Sequence, residues 1–267
     1  MTASATRTAS YQGSKISYRV TGSGRPVMLV HGFAETGSLW DDQVKYLSRS
    51  YQCIVPDLPG SGASEALSDN SIEEMCEALH TIVHQEKLER VTMIGHSMGG
   101  YITLAFAENY YNHLDGFGLF HSTAFADNDE KKQVREKGIA FIMEHGAAAF
   151  LKTSSPNLFS EETRRSNPEM VSRFIAEQSN FSATSLVSYY RAMMARPDRT
   201  GVLRKSPFPV LFIMGEHDMA VPLSDSQAQC HLPGKSYIHL LRNSAHMGML
   251  EESDTSNRIL EQFLCSF

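Results

Sequence analysis

Along the chain, short apolar runs alternate with stretches whose apolar positions recur every three or four residues. The run RPVMLVHGF (residues 25–33) ends at His31-Gly32, and QCIVPDLPGSG (52–62) stops at Pro59-Gly60. VTMIGH (91–96), LDGFGLF (114–120), FPVLFIMGEHD (208–218) and KSYIHLL (235–241) have the same character. Such unbroken apolar runs, ended by turn residues, read as strands, and residues 25–33 in particular as one buried on both faces. Between them, residues 38–48 put Leu39, Trp40, Val44 and Leu47 on one side of a helix. Ser71 with Glu74 fits a capping box, and Ile72, Met75, Leu79, Ile82 and Val83 form the apolar stripe behind it. Further helices are expected from Ser97, over residues 223–230 and from about Gly248 to Phe263. Two extended runs around Gly13-Ser14 predict an N-terminal hairpin. Strands alternating with helices imply a mostly parallel sheet covered on both faces, an α/β fold.

Residues 122–200 break the alternation. They hold no convincing strand but several helical stretches, at 130–144, 147–151, 168–178 and 184–195, with Asn167-Pro168 as a cap and first turn. An all-helical insertion after the sixth strand reads as a cap over the strand ends. The expected organisation is therefore a core of residues 1–121 and 201–267, interrupted by a helical cap at 122–200. Eight Phe or Tyr and four Met residues in the insertion supply a core for the cap and an apolar wall for a pocket.

The candidate chemistry gathers at the ends of these strands. In GHSMGG the chain turns from strand to helix with no loop, and Gly95 and Gly99 flank Ser97 at two residues on either side. A serine at a helix start is usually a cap. Here, though, glycines stand where a sharp turn would crowd Cβ atoms, and the turn lies at the carboxyl end of a parallel strand, where open α/β sheets bind ligands. Ser97 is therefore the candidate nucleophile. A hydroxyl needs a base within hydrogen-bond reach, itself oriented by a third group. Of the eleven histidines, His246 follows the last strand and precedes the last helix, at the same edge of the sheet. His80 and His84 are spaced as a metal pair, but on an ordinary surface helix with no carboxylate motif, and no metal site is expected. Asp218, at the end of a buried strand, is the first candidate for the acid, with Glu216 and Asp127 as alternatives. Asp57 and Glu251 are read as structural.

The order Ser97, Asp218, His246 and the motifs HGFAE (31–35), DLPGSGAS (57–64), GHSMGG (95–100), GEHD (215–218) and SAHMGMLE (244–251) resemble those of α/β-hydrolase-fold serine hydrolases. The likeness covers nearly the whole chain. It implies an acyl-enzyme mechanism on a Ser-His-Asp triad, with an oxyanion hole made by the backbone N–H groups of Phe33 and Met98, and no cofactor. Ser97 stands where haloalkane dehalogenases and epoxide hydrolases carry aspartate, and Met98 where proline iminopeptidases usually carry Trp. The expected substrate is a small, apolar carboxylic ester. Lactonases, thioesterases, carbon–carbon bond hydrolases and slow-turnover ligand receptors share the same motifs. His31, His121 and Ser122 are the polar residues expected to face the substrate.

Composition narrows the picture only at its margins. A net charge of −6 offers no footprint for nucleic acid, and no apolar stretch is long enough to insert stably in a membrane. The first ten residues lack an apolar core, so no export signal is expected there. Cys53, Cys76, Cys230 and Cys265 are far apart with no metal spacing, which suits reduced thiols and a cytoplasmic location.

Overall fold

The computed structural model describes residues 4–178 and 180–266. Its sheet has eight strands in the order β1-β2-β4-β3-β5-β6-β7-β8. The hairpin comes first: β1 (Ala5–Tyr11) and β2 (Ser14–Thr21) pair antiparallel across a two-residue turn, with Gln12 and Gly13 at φ of 51° and 83°. β2 also runs antiparallel to β4 (Tyr51–Pro56). From there β3 (Arg25–Val30), β5 (Val91–His96), β6 (Leu114–Phe120), β7 (Val210–Gly215) and β8 (Ser236–Leu241) are parallel. Their carboxyl ends form one edge, and that edge carries the chemistry.

Six helices cover the sheet: α1 (Asp41–Leu47), α2 (Ile72–Gln85), α3 (Met98–Asn109), α10 (Leu223–Gln227), α11 (Gly248–Glu251) and α12 (Ser253–Leu264). Strand side chains alternate in direction, so β3 divides its residues between two cores. Met28 and Val30 join Leu79, Ile82, Ile102 and Phe106 on the α2–α3 face. Val27 and Leu29 join Trp40, Leu47, Leu260 and Phe263 on the α1–α12 face. Full burial of each such side chain contributes about 1.5–3 kcal/mol relative to exposure. Ser71 caps α2 as expected, its hydroxyl accepting from Glu74 N at 3.2 Å.

Between β6 and β7 the described residues form helices only: α4 (Asp129–His145), α5 (Ala147–Ser154), α6 (Glu161–Ser166), α7 (Pro168–Glu177), α8 (Ala183–Ala195) and α9 (Thr200–Lys205), with a 3-10 turn at Ser155–Leu158. A small core of Ile139, Ile142, Leu151, Leu186 and Val187 closes on Ala34 of the sheet edge. α6 and α9 were not expected from periodicity. α6 (EETRRS) has no apolar stripe and rests on a local device, Ser160 Oγ accepting from Thr163 N at 3.2 Å. The helix expected over 248–263 is two helices. At the break, Glu252 turns its carboxylate back to Asn243 N (3.0 Å) and Ser244 Oγ (2.7 Å). The helix expected over 38–48 likewise opens as a 3-10 turn, Gly37–Trp40, before α1.

At the corner between β5 and α3 backbone packs directly on backbone. A Cβ on Gly95 would lie 2.3 Å from Gly99 O, and one on Gly99 would lie 2.4 Å from Val30 O and 2.5 Å from His31 O. These are backbone contacts, so no rotamer change relieves them. Gly95→Ala is expected to destabilise the protein by about 3 kcal/mol or more, as overpacking against rigid backbone does. A urea midpoint equal to that of the wild type would contradict this.

Candidate active site

Ser97 follows directly on β5 with φ 51° and ψ −118°, and among the described residues its hydroxyl makes no capping bond to α3. A non-glycine residue at positive φ persists only when its surroundings hold it. Here Ser97 N donates to Phe120 O at 3.0 Å, and Ser97 O accepts from Gly100 N at 2.9 Å and from Ser122 Oγ at 2.7 Å. The capping alternative therefore fails, and the side chain is left at the wall of a cavity of about 520 Å³. His246 lines the same cavity, as do Phe33, Glu35, Arg135, Tyr190 and Met193.

His246 is 4% exposed, and its Nδ1 is 2.8 Å from Asp218 Oδ2. Asp218 Oδ1 accepts from the amides of Ala220 and Val221, each at 2.9 Å, which fixes the carboxylate. Burial raises the Asp218 pKa, but the neighbouring His246 and His121 outweigh it and hold the carboxyl far below the usual range. Burial likewise disfavours charge on His246, and the Asp218 carboxylate, with Glu35 and Glu251 beyond it, overcomes this and raises the imidazole above its ordinary value. Of the three candidate acids, only Asp218 meets the histidine. Glu216 is exposed, and Asp127 is engaged by Arg135 and Arg196. Asp57 joins loops, its carboxylate accepting from Gly37 N and Ala63 N, each at 2.9 Å.

The backbone N–H groups of Phe33 and Met98 have no hydrogen-bond partner among the described residues. Met98 is the first residue of α3, where the helix itself supplies no acceptor. The Phe33 ring stacks on Tyr190 of α8 with centroids 4.5 Å apart, which ties the loop after β3 to the helices above it.

The expectation that His31, His121 and Ser122 face the substrate is corrected: none of the three lines the cavity, and all are at most 2% exposed. His31 Nε2 accepts from Leu58 N at 2.9 Å and serves the loop after β4. The Ser122 hydroxyl is turned to Ser97 O. His121, at φ 50°, sits behind the acid, with Nδ1 3.2 Å from Asp218 Oδ2 but off line for a hydrogen bond. Its Nε2 accepts from Gly248 N at 3.2 Å, so the neutral ring carries its proton on Nδ1, facing the carboxylate. Burial lowers its pKa to about 4. Ligand atoms of His121, Asp218 and His246 lie within 4.8 Å of one another. A cation there would need that Nδ1 stripped of its proton, against the tautomer that Gly248 fixes, so the set does not fit a metal centre.

Sequence reasoning missed a second buried relay. Glu35 Oε2 accepts from Gly32 N at 2.5 Å and lies 2.9 Å from His96 Nδ1, and His96 Nε2 is 3.0 Å from the carbonyl of His246. The only signal for it was an acid three residues after Gly32 and a histidine beside the serine. Neither is distinctive alone.

Strand order, corner and cavity together define an α/β hydrolase. The match to the family described as the alpha/beta hydrolase fold covers residues 25–253, and the chain belongs to that family. Among solved structures, a thermophilic esterase from Thermogutta terrifontis is 26% identical, with 98% of each chain covered and a TM-score of 0.91. The enol-lactonase from Burkholderia xenovorans LB400 is 21% identical, with 97% of this chain and 100% of that one covered and a TM-score of 0.90. Among curated proteins, (E)-2-((N-methylformamido)methylene)succinate hydrolase from Acinetobacter baylyi is 36% identical over 87 residues, 32% of this chain and 33% of that protein. The chain spans from 30% to 55% of the length of the curated relatives it matches first.

Removing the Ser97 side chain tests the strain directly. Ser97→Gly is expected to raise stability by on the order of 1 kcal/mol, because glycine adopts positive φ without steric penalty. Calorimetric melting checks this, and a lower Tm than wild type would contradict it.

Proposed function

We propose that the protein is a serine hydrolase of small carboxylic esters, with residues 122–200 acting as a cap over the cavity that Ser97 and His246 share. The 2.8 Å contact between His246 Nδ1 and Asp218 Oδ2 carries this reading. It leaves Nε2 as the ring nitrogen available to a nucleophile, and the serine on the same cavity wall is bound to no cap. Ser97 Oγ attacks the ester carbonyl while His246 Nε2 takes its proton. Asp218 keeps the other proton on Nδ1 and stabilises the imidazolium. The amides of Phe33 and Met98 donate to the tetrahedral oxyanion, each worth on the order of 100- to 1,000-fold in rate. His246 then protonates the leaving alcohol and activates the water that releases the acid. These steps need no metal and no cofactor.

Phe33, Leu158, Tyr190, Met193 and Val221 give the cavity apolar walls suited to an acyl chain. Similarity to an esterase over 98% of both chains supports an ester as the substrate. The same groups would open a lactone or a thioester. The likeness to an enol-lactonase extends to the fold.

With p-nitrophenyl esters from acetyl to decanoyl, wild type is expected to show a burst followed by steady turnover, and Ser97→Ala to lose on the order of 10⁵- to 10⁶-fold in kcat. A stoichiometric burst with almost no turnover would point instead to a ligand receptor. Full turnover by Ser97→Ala would exclude Ser97 as the nucleophile.

The pH profile has a definite sign. His246 acts as a base only when neutral, so kcat/KM falls as pH drops through its pKa, and that pKa lies above the ordinary 6.5. The acid limb should therefore have its midpoint above 6.5. Asp218→Asn removes the charge that raises it, shifting the midpoint down and lowering kcat by about 10⁴-fold. An unmoved midpoint in that variant would remove Asp218 from the scheme.

A further inference from the structure

Besides Ser97 and His246, the cavity is lined by the charged residues Glu35, Glu130, Lys131, Arg135 and Asp225, and a buried carboxylate lies behind Arg135. Asp127, before α4, is 4% exposed and is met by two guanidinium groups. Its Oδ2 accepts from Arg135 Nε at 2.5 Å, and its Oδ1 lies 3.3 Å from Arg135 Nη2 and 2.9 Å from Arg196 Nη1. Arg196, at the end of α8, is itself 5% exposed. Its Nη1 donates to Met193 O (2.6 Å) and its Nη2 to Phe125 O (2.8 Å), with Cζ 3.8 Å from the centre of the Tyr101 ring, while its buried Nε has no hydrogen-bond partner among the described residues. Two cations and one carboxylate leave a surplus positive charge, and a surplus charge in a partly buried place calls for an anion.

Of the two cations, only Arg135 lines the same cavity as Ser97. No described carboxylate other than Asp127 pairs with it. Asp225 is held by Lys131 at 3.0 Å, Glu35 is tied to Gly32 N and His96, and Glu130 is solvent-exposed. Arg135 uses its Nε–Nη2 edge on Asp127, whose side chain is wholly buried, while its own side chain keeps 18% exposure. The other edge, Nη1 with the second N–H of Nη2, makes no hydrogen bond to the described residues. It is a planar two-pronged donor of the kind that binds a carboxylate bidentately. The guanidinium lies 5.6 Å from the centre of the Tyr190 ring, and that ring stacks on Phe33, which lines the cavity with Ser97. Arg135 and Ser97 thus border one cavity.

We infer that the substrate is an ester bearing a free carboxylate, which the open edge of Arg135 grips while the ester carbonyl reaches Ser97. This rests on the serine-hydrolase reading and adds the class of acyl group. One unneutralised cation matches a singly charged carboxylate, and the apolar residues of the cavity suit a short methylene chain.

Two readouts test it. By calorimetry, glutarate is expected to bind wild type, and on the order of 10- to 100-fold more weakly in Arg135→Met, as loss of a charge-assisted pair implies. Arg135→Lys keeps the charge beside Asp127 but lacks the fork, and should also weaken binding. By kinetics, the ratio of kcat/KM for p-nitrophenyl hydrogen glutarate over p-nitrophenyl methyl glutarate should be well above one in wild type. It should fall toward one in both variants whose melting shows them folded. Glutarate binding that is absent from wild type, or unchanged in both variants, overturns the proposal. If neither ester turns over yet glutarate binding depends on Arg135, the hydrolase reading fails and the anion site stands. If both esters turn over equally and binding ignores Arg135, the anion site fails and the hydrolase reading stands.

Discussion

The close approach of the first turn of α3 to the ends of β3 and β5 is the constraint on which the rest of the site depends. Gly99 lies against the carbonyls of Val30 and His31, and Gly95 lies against Gly99. At those distances no side chain fits between helix and sheet. The chain can turn only by forcing Ser97 to a φ of 51° and pushing its side chain outward. The strain is local, and its support is distributed. Phe120 at the end of β6 binds Ser97 N, and Ser122 just after it binds Ser97 O. Neighbouring strands therefore hold the hydroxyl at the sheet edge.

Behind that edge the molecule concentrates buried titratable groups. Asp218 faces two histidines with different tasks. His246 reaches the cavity, whereas His121 is sealed behind the acid with its tautomer set by an amide of α11. Burial acts against charge on both, and the outcomes diverge because only His246 is in line with the carboxylate and has further negative charge at Glu35 and Glu251. One carboxylate thus keeps one imidazole readily protonated and leaves its neighbour neutral.

The fold was legible because its strands are short, apolar and punctuated. Gly-x-Ser-x-Gly, Gly-Glu-His-Asp and Ser-Ala-His each fall where an apolar run stops, and in a parallel sheet those stops share one edge. That rule brought Asp218 to His246 and put Ser97 on the cavity they serve. It could not say which way a residue at that edge points. His31, His121 and Ser122 occupy the right edge and face inward, because each satisfies a backbone group that would otherwise be buried unpaired. The polar helix α6 and the break at Glu252 were illegible for a related reason, since both depend on single side chains bonding to backbone rather than on periodicity.

Glu251 was set aside in the sequence as structural, and its two oxygens reach in two directions. Oε2 accepts from Ala245 N at 2.9 Å, in the loop that carries His246, and Oε1 accepts from Ser160 N at 2.7 Å, among the inserted helices. The amide of His246 itself donates to Leu158 O at 2.9 Å. The loop of the base and the chain near Leu158–Ser160 are thus sewn together at three amides. Any motion of the insertion that displaced this seam would drag the imidazole with it. α8, which carries Tyr190, is fastened separately, Tyr189 Oη donating to Pro59 O at 2.6 Å and Asn70 Nδ2 to Ser188 Oγ at 3.1 Å, so the loop of the base and the aromatic wall of the cavity are held by independent ties.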